Sequence, residues 1–260
     1  MIAWRCAVAS VLGLLGSAGA QPAAEPADPE APLESLPEAE LDPRAAGYPR
    51  TLVDRPLVLP DGLLEGTVVL GVGYADGGTW TTRIGPSLRY GVGRVELEGG
   101  ASVLVDDWYS DAFVAVRFAP DPDMTIGLQL GLERIGSDVT TTTPRVLLGR
   151  KQLLTETVAI ESSFGPGVSR AAGETAFVAN GEVRVQIQVA ALYAVQARAA
   201  LNLRYLEAEG TTLRHDYGLG LLASITPTID VMSSVDLFVE DDDYVGLVVS
   251  VAVSLRNRSM

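Results

Sequence analysis

From Asp61 to Arg256 apolar residues alternate with small or polar ones at a period of two, and no other feature limits the fold as strongly. Successive side chains of a strand point to opposite faces, so the alternation describes strands with one apolar and one polar side. In the first segment Leu64, Gly66, Val68, Leu70, Val72 and Tyr74 share a face, against Glu65, Thr67 and Gly71. In the second, Trp80, Thr82, Ile84, Leu88 and Tyr90 oppose Arg83, Ser87 and Arg89. No stretch sustains the spacing of an amphipathic helix. The pattern predicts twelve strands, the fourth to the last near 108–119, 123–135, 139–150, 153–164, 175–188, 191–206, 211–225, 229–240 and 244–256. Such strands exceed the usual five or six residues of soluble sheets and meet the ~9–11 that a tilted membrane-crossing strand needs.

Something must cover the apolar face. A soluble sandwich would bury it between two sheets, a lipocalin-like barrel would turn it inward, and a membrane barrel would give it to lipid. The aromatics discriminate. Tyr74, Trp80, Phe164, Phe177 and Tyr205 fall at strand ends on one side of the meander, Tyr90, Phe118 and Tyr193 at ends on the other, all on the apolar face. Two girdles at the membrane interfaces produce that distribution, whereas a sandwich core holds its large aromatics in mid-strand. The expected fold is all-β, an antiparallel up-and-down transmembrane β-barrel. Its connections are short, and only Gly165–Glu174 reads as a loop of about ten residues.

Ahead of the strands lie two other regions. Residues 1–20 read as a signal peptide: Arg5 supplies the positive start, Ala7 to Leu15 the apolar stretch, and Ala18-Gly19-Ala20 the cleavage pattern. Residues 21–60 hold nine of the 15 prolines and eight carboxylates against three arginines. That composition predicts a disordered, acidic linker, with a more apolar end, Tyr48 to Pro60, able to dock on the strands beyond it. The barrel then occupies 61–260. A net charge of −14 argues against nucleic acid, and the single lysine, Lys151, leaves no polybasic lipid-binding patch. The one cysteine, Cys6, lies in the signal peptide, so neither a disulfide nor a thiolate zinc site is available.

On the polar face, turned toward a lumen, stand Arg83, Arg89, Arg117, Arg145, Arg184, Arg198, Arg204, Arg214 and Arg256. Against them stand Glu65, Glu96, Glu98, Asp111, Glu133, Glu161, Glu182, Asp216, Asp230, Asp236 and Glu240, a near balance that implies no strong ion selectivity. Pairing Tyr74 with Trp80 and Tyr90 with Val95 puts Arg89 opposite both Glu65 and Glu96, where one guanidinium bridges two carboxylates. Catalytic signals are weak. The only histidine, His215, falls on the lipid side between Leu213 and Tyr217, and Gly71-Val-Gly73 opens a hairpin where a phosphate loop would open a helix. Glu240 to Asp243 reads as a solvated acidic turn more readily than as a Ca²⁺ site. No cofactor or metal is expected, and no enzyme.

Residues 61–256 resemble the Gram-negative outer-membrane β-barrel superfamily, and Arg55-Pro-Leu-Val-Leu-Pro-Asp-Gly-Leu-Leu-Glu65 is similar to the lead-in to the first strand of some of its members. The chain departs from them in ending Arg256-Asn-Arg-Ser-Met260, where such barrels usually end on an aromatic. The resemblance implies residence in the bacterial outer membrane, contact with its lipid, and handling by the barrel assembly machinery. A periplasmic partner of residues 21–60 is not identified by the sequence. The expected function is a narrow passive channel for small polar solutes. The alternatives are a closed structural or anchoring barrel and a soluble secreted β-sandwich.

Overall fold

The computed structural model describes residues 48–75, 78–105, 109–135, 139–171, 173–207, 210–240 and 244–258. The signal peptide expected at 1–20, the linker expected from 21 as far as residue 47, and Asp241–Asp243 of the acidic run lie outside them. After a three-residue 3-10 turn, Leu52–Asp54, come β1 (Leu63–Ala75), β2 (Thr79–Val92), β3 (Val95–Leu104) and β4 (Tyr109–Asp121). They are followed by β5 (Met124–Ile135), β6 (Val139–Thr155), β7 (Val158–Ala171) and β8 (Glu174–Ala190). The last four are β9 (Tyr193–Leu206), β10 (Gly210–Thr226), β11 (Ile229–Glu240) and β12 (Tyr244–Arg258). Each strand pairs antiparallel with its sequence neighbours, and β1 pairs with β12 from Leu63↔Arg258 to Ala75↔Gly246, closing the barrel.

Closure removes every open edge, as a sheet in lipid requires. It also disposes of the β-sandwich, whose two sheets would have buried the apolar face. Here that face points out on every strand, with Leu70, Leu88, Leu128, Leu219 and Leu255 more than half exposed. The apolar residues that are buried are mostly alanines of the inner wall and a few side chains ahead of β1.

Two-residue turns at 93–94, 122–123, 156–157, 191–192 and 227–228 mark one rim, here called lower, together with the start of β1 and the end of β12. Gly93 supplies the left-handed conformation that the first of these turns needs, at φ 59°. This tight turn corrects the register expected for β2 and β3. Tyr90 pairs with Leu97 and not with Val95, so Arg89 stands opposite Glu98 and reaches Glu96 on the diagonal.

A second correction concerns Gly165–Glu174. It is not a loop: β7 runs through it to Ala171 and pairs with β8 from Gly165↔Asn180 to Ala171↔Glu174. The glycines of Gly165-Pro166-Gly167 serve space and not a turn. A Cβ on Gly167 would strike the Pro144 carbonyl and the Arg145 stem, and one on Gly165 would strike the Asn180 amide. Phe164 therefore lies halfway along β7, opposite Leu148 and Gly181, and not at a strand end. β6 likewise continues to Thr155, through the turn implied between the strands expected at 139–150 and 153–164. The third correction is the largest. Residues 48–60 are not disordered linker but folded chain inside the lower end of the barrel.

Candidate functional site

Residues 48–60 combine three prolines, which hold the backbone extended or turned, with apolar side chains that need cover. Leu52, Val53, Val58 and Leu59 are buried, and Leu52 packs on Ala194 and Leu222 of the inner wall beside Met232. The backbone polar groups of this plug find partners on the wall. The Leu52 N–H donates to Gln188 Oε1 at 2.7 Å and the Leu59 N–H to Glu96 Oε2 at 2.8 Å. Lys151 Nζ donates to the carbonyls of Arg55 at 2.7 Å and Leu52 at 3.3 Å. Arg50 donates to the Ser224 carbonyl at 3.2 Å. The plug leaves over Gly91, where any Cβ would collide with the Leu59 and Pro60 carbonyls. The Gly62 N–H then bonds the Gly91 carbonyl at 2.9 Å and β1 begins.

Around the plug the wall is buried. Glu96 is 0%, Asp230 2% and Lys151 3% exposed, so these charges have no water to turn to and must be paired. They are paired in sequence. Arg55 of the plug donates to Asp230 Oδ2 at 2.5 Å and to Oδ1 at 3.2 Å, and Asp230 also accepts from Arg256. Arg256 reaches Glu65 at 2.6 Å, and Glu65 accepts from Arg89 at 3.0 Å. Arg89 continues to Glu96 at 2.7 Å, and Arg117 lies 2.9 Å from Glu96 and 2.7 Å from Glu98. Cation and anion thus alternate from the plug through β11, β12, β1, β2, β3 and β4. A second run starts at Lys151, 3.2 Å from Glu161, and passes through Arg184, Glu182 and Arg198 to Asp236. One run ends on a plug side chain, and the other begins with the lysine that holds two plug carbonyls.

Tyr48 completes the seal. Its ring faces the Arg256 guanidinium at 4.8 Å and that of Arg55 at 5.4 Å. Burial, and then Glu65, push its phenol above the usual tyrosine range against the pull of Arg256, Arg55 and Arg89. It stays a neutral ring between two cations.

Above the plug the lumen opens into a chamber of about 640 Å³, floored by Tyr48, Leu52 and Arg55. A space of about 390 Å³ nearer the upper rim shares Val69, Glu98, Arg184 and Gln196 with it. There Arg83 donates to Ser102 Oγ at 2.9 Å and lies 3.3 Å from Asp111. Arg214 bonds Asp216 at 2.7 Å over the Phe238 ring, and Asn202 bonds the other Asp216 oxygen at 2.8 Å. Arg204, opposite Thr212 and Val178, makes no ion pair among the described residues. On the outside, Tyr74 packs on Trp80 at 5.0 Å, Phe177 pairs with Tyr205, and Tyr90, Phe118 and Tyr193 sit near the lower ends of their strands. His215 and Tyr217 stack 6.4 Å apart. A groove on this outer wall beside Pro144 and Pro166 is lined mainly by aliphatic side chains.

Sequence patterning allowed Tyr48 to Pro60 to dock on the strands, but gave neither its seat inside the lumen nor its holders. Lys151 fell in a supposed turn, and Tyr48 and Arg55 in a supposed linker. The available signals were the sole lysine one step beyond an alternating strand and the rise in apolar content after Tyr48.

No known family model matches the chain, and no curated protein sequence does. Solved structures share the fold. A bacterial polysaccharide outer membrane secretin superposes at a TM-score of 0.53 with 10% identity, over 76% of this chain and 99% of its own. An outer membrane channel from Pseudomonas putida gives 0.54 with 8% identity, over 76% and 97%. The NanC porin gives 0.51 with 13% identity, over 72% and 98%. The fold is that of the bacterial outer-membrane β-barrels.

Arg89→Ala leaves Glu96 with one cation fewer in a dry site. It is expected to lower stability by about 2 kcal/mol or more, against less than about 0.5 for Arg94→Ala at the exposed turn. Urea unfolding in detergent micelles measures both, and an unchanged Arg89→Ala midpoint would count against the charge run. Lys151 gives a second readout. With the plug seated it should resist an amine-reactive label, and Arg55→Ala should make it reactive, as read by peptide mass spectrometry. Equal labelling of both proteins would show that Arg55 does not hold the plug.

Proposed function

We infer that this outer-membrane-type barrel is a passive channel for small polar solutes, closed at its lower end by its own residues 48–60. The observation that carries the reading is the pairing of an apolar exterior with a polar, charged, partly hollow lumen. Lipid accounts for the first, and a polar solute passing through accounts for the hollow part of the second. Twelve strands stand between the filled lumen of ~8 and the open pore of ~16. We place the protein in the bacterial outer membrane, inserted by the barrel assembly machinery, with the lower rim on the periplasmic side. The reading is non-catalytic: His215 lies on the outer wall against Tyr217, away from the lumen.

The buried plug favours a second reading, a barrel that never opens and serves as an anchor. Planar-bilayer recording separates the two. The mature chain should conduct in rare events, and deleting residues 48–60 or introducing Arg55→Ala should raise the open fraction. If all three proteins insert, show the heat-dependent gel mobility of folded barrels, and yet stay silent, the channel reading fails and the anchor stands.

A further inference from the structure

Six arginines and five carboxylates line the chamber above the plug. Four of the arginines, Arg55, Arg256, Arg89 and Arg117, belong to the first run of ion pairs, and Arg184 belongs to the second. The sixth, Arg145, belongs to neither. It projects from β6 opposite Gln129 and Gly167, and the missing side chain of Gly167 is what lets its stem lie against β7. Among the described residues no carboxylate lies within 4.0 Å of its guanidinium. The carboxylate that acts on it from farther off is Glu133, which the Tyr109 hydroxyl already engages. A partly enclosed guanidinium attracts a carboxylate more strongly than one fully in water would, and its planar fork takes that group through two parallel hydrogen bonds.

We propose that the chamber is a binding site for a small organic anion, with Arg145 holding its carboxylate. The remaining lining narrows the class. Gln129, Gln196, Asn180 and Ser163 offer amides and a hydroxyl around the charge. These groups pair with hydroxyls along a ligand chain, so the ligand is a hydroxylated carboxylate. A volume of about 640 Å³ accommodates one such molecule with some water. The inference rests on the channel reading for the solute's reason to enter, while the binding itself needs no conduction.

The test is calorimetric titration of the folded mature barrel in detergent with gluconate, and with sorbitol, which has the same six-carbon chain without the carboxylate. Gluconate should bind, and more weakly as salt rises; sorbitol should give no heat above dilution. Arg145→Gln should weaken gluconate by about tenfold or more, the scale of a charge-assisted contact. Arg145→Lys, which keeps the charge and loses the fork, should fall between. Arg94→Gln removes the same charge outside the lumen and should leave binding unchanged. Equal behaviour of gluconate and sorbitol, absence of binding by either, or full affinity in a folded Arg145→Gln barrel would each overturn the proposal. A barrel that binds gluconate and never conducts would leave the site standing and remove the channel.

Discussion

Most of the ion pairs inside the barrel join end to end in two runs, and the plug sits where the two meet. A lone buried charge costs several kcal/mol, and a pair recovers that only when its remaining hydrogen bonds are also met. Alternation is the economical solution, because each carboxylate between two guanidiniums satisfies both of its oxygens. Glu96 does this with Arg89, Arg117 and the Leu59 amide. Asp230 does it with Arg55 and Arg256. Remove the plug and Asp230 loses one cation, Glu96 one donor, and Lys151 both carbonyl acceptors. Wall and plug are therefore one electrostatic unit at the lower rim.

The same arrangement explains where the apolar residues go. A twelve-stranded wall with a charged inside cannot build a core there, so most of its large apolar surface faces outward. The small apolar cluster inside is made by Leu52 of the plug against Ala194 and Leu222, next to Met232. Glycines of the inner wall make room for charged stems, Gly127 for Arg117 near the lower rim and Gly167 for Arg145 higher up. The lumen is thus sealed and neutralised below, and hollow above, where Arg145 alone of the six chamber arginines has no ion-pair partner among the described residues.

The barrel and its two faces were legible in the sequence because period two is a local property repeated in every strand. Arg89 beside Glu65 was legible for the same reason, since one hairpin fixes it. The contact to Glu96 is less direct: a two-residue turn at Gly93 and Arg94 shifts the register, and the long arginine side chain spans the diagonal. Lys151 was hidden because leucine pairs at 147–148 and 153–154 blur the alternation where β6 continues. Gly165-Pro166-Gly167 imitates a turn while serving as strand. The plug was hidden for a deeper reason. Its partners Glu96, Lys151, Gln188 and Asp230 are single side chains from four strands, brought together only by closure, and no local pattern announces such a meeting.

If the plug is the gate, the lumen opens only when residues 48–60 leave it. A chain beginning at residue 21 has no cysteine of its own, so Leu52→Cys with Ala194→Cys can pin the plug to the wall it packs on. Single-channel current would be recorded from the oxidised protein and again after a reducing agent is added to the same bilayer. Silence is expected while the disulfide is intact, and stepwise current once it is broken. Equal current before and after reduction, with the disulfide verified, would show that the plug is not the gate.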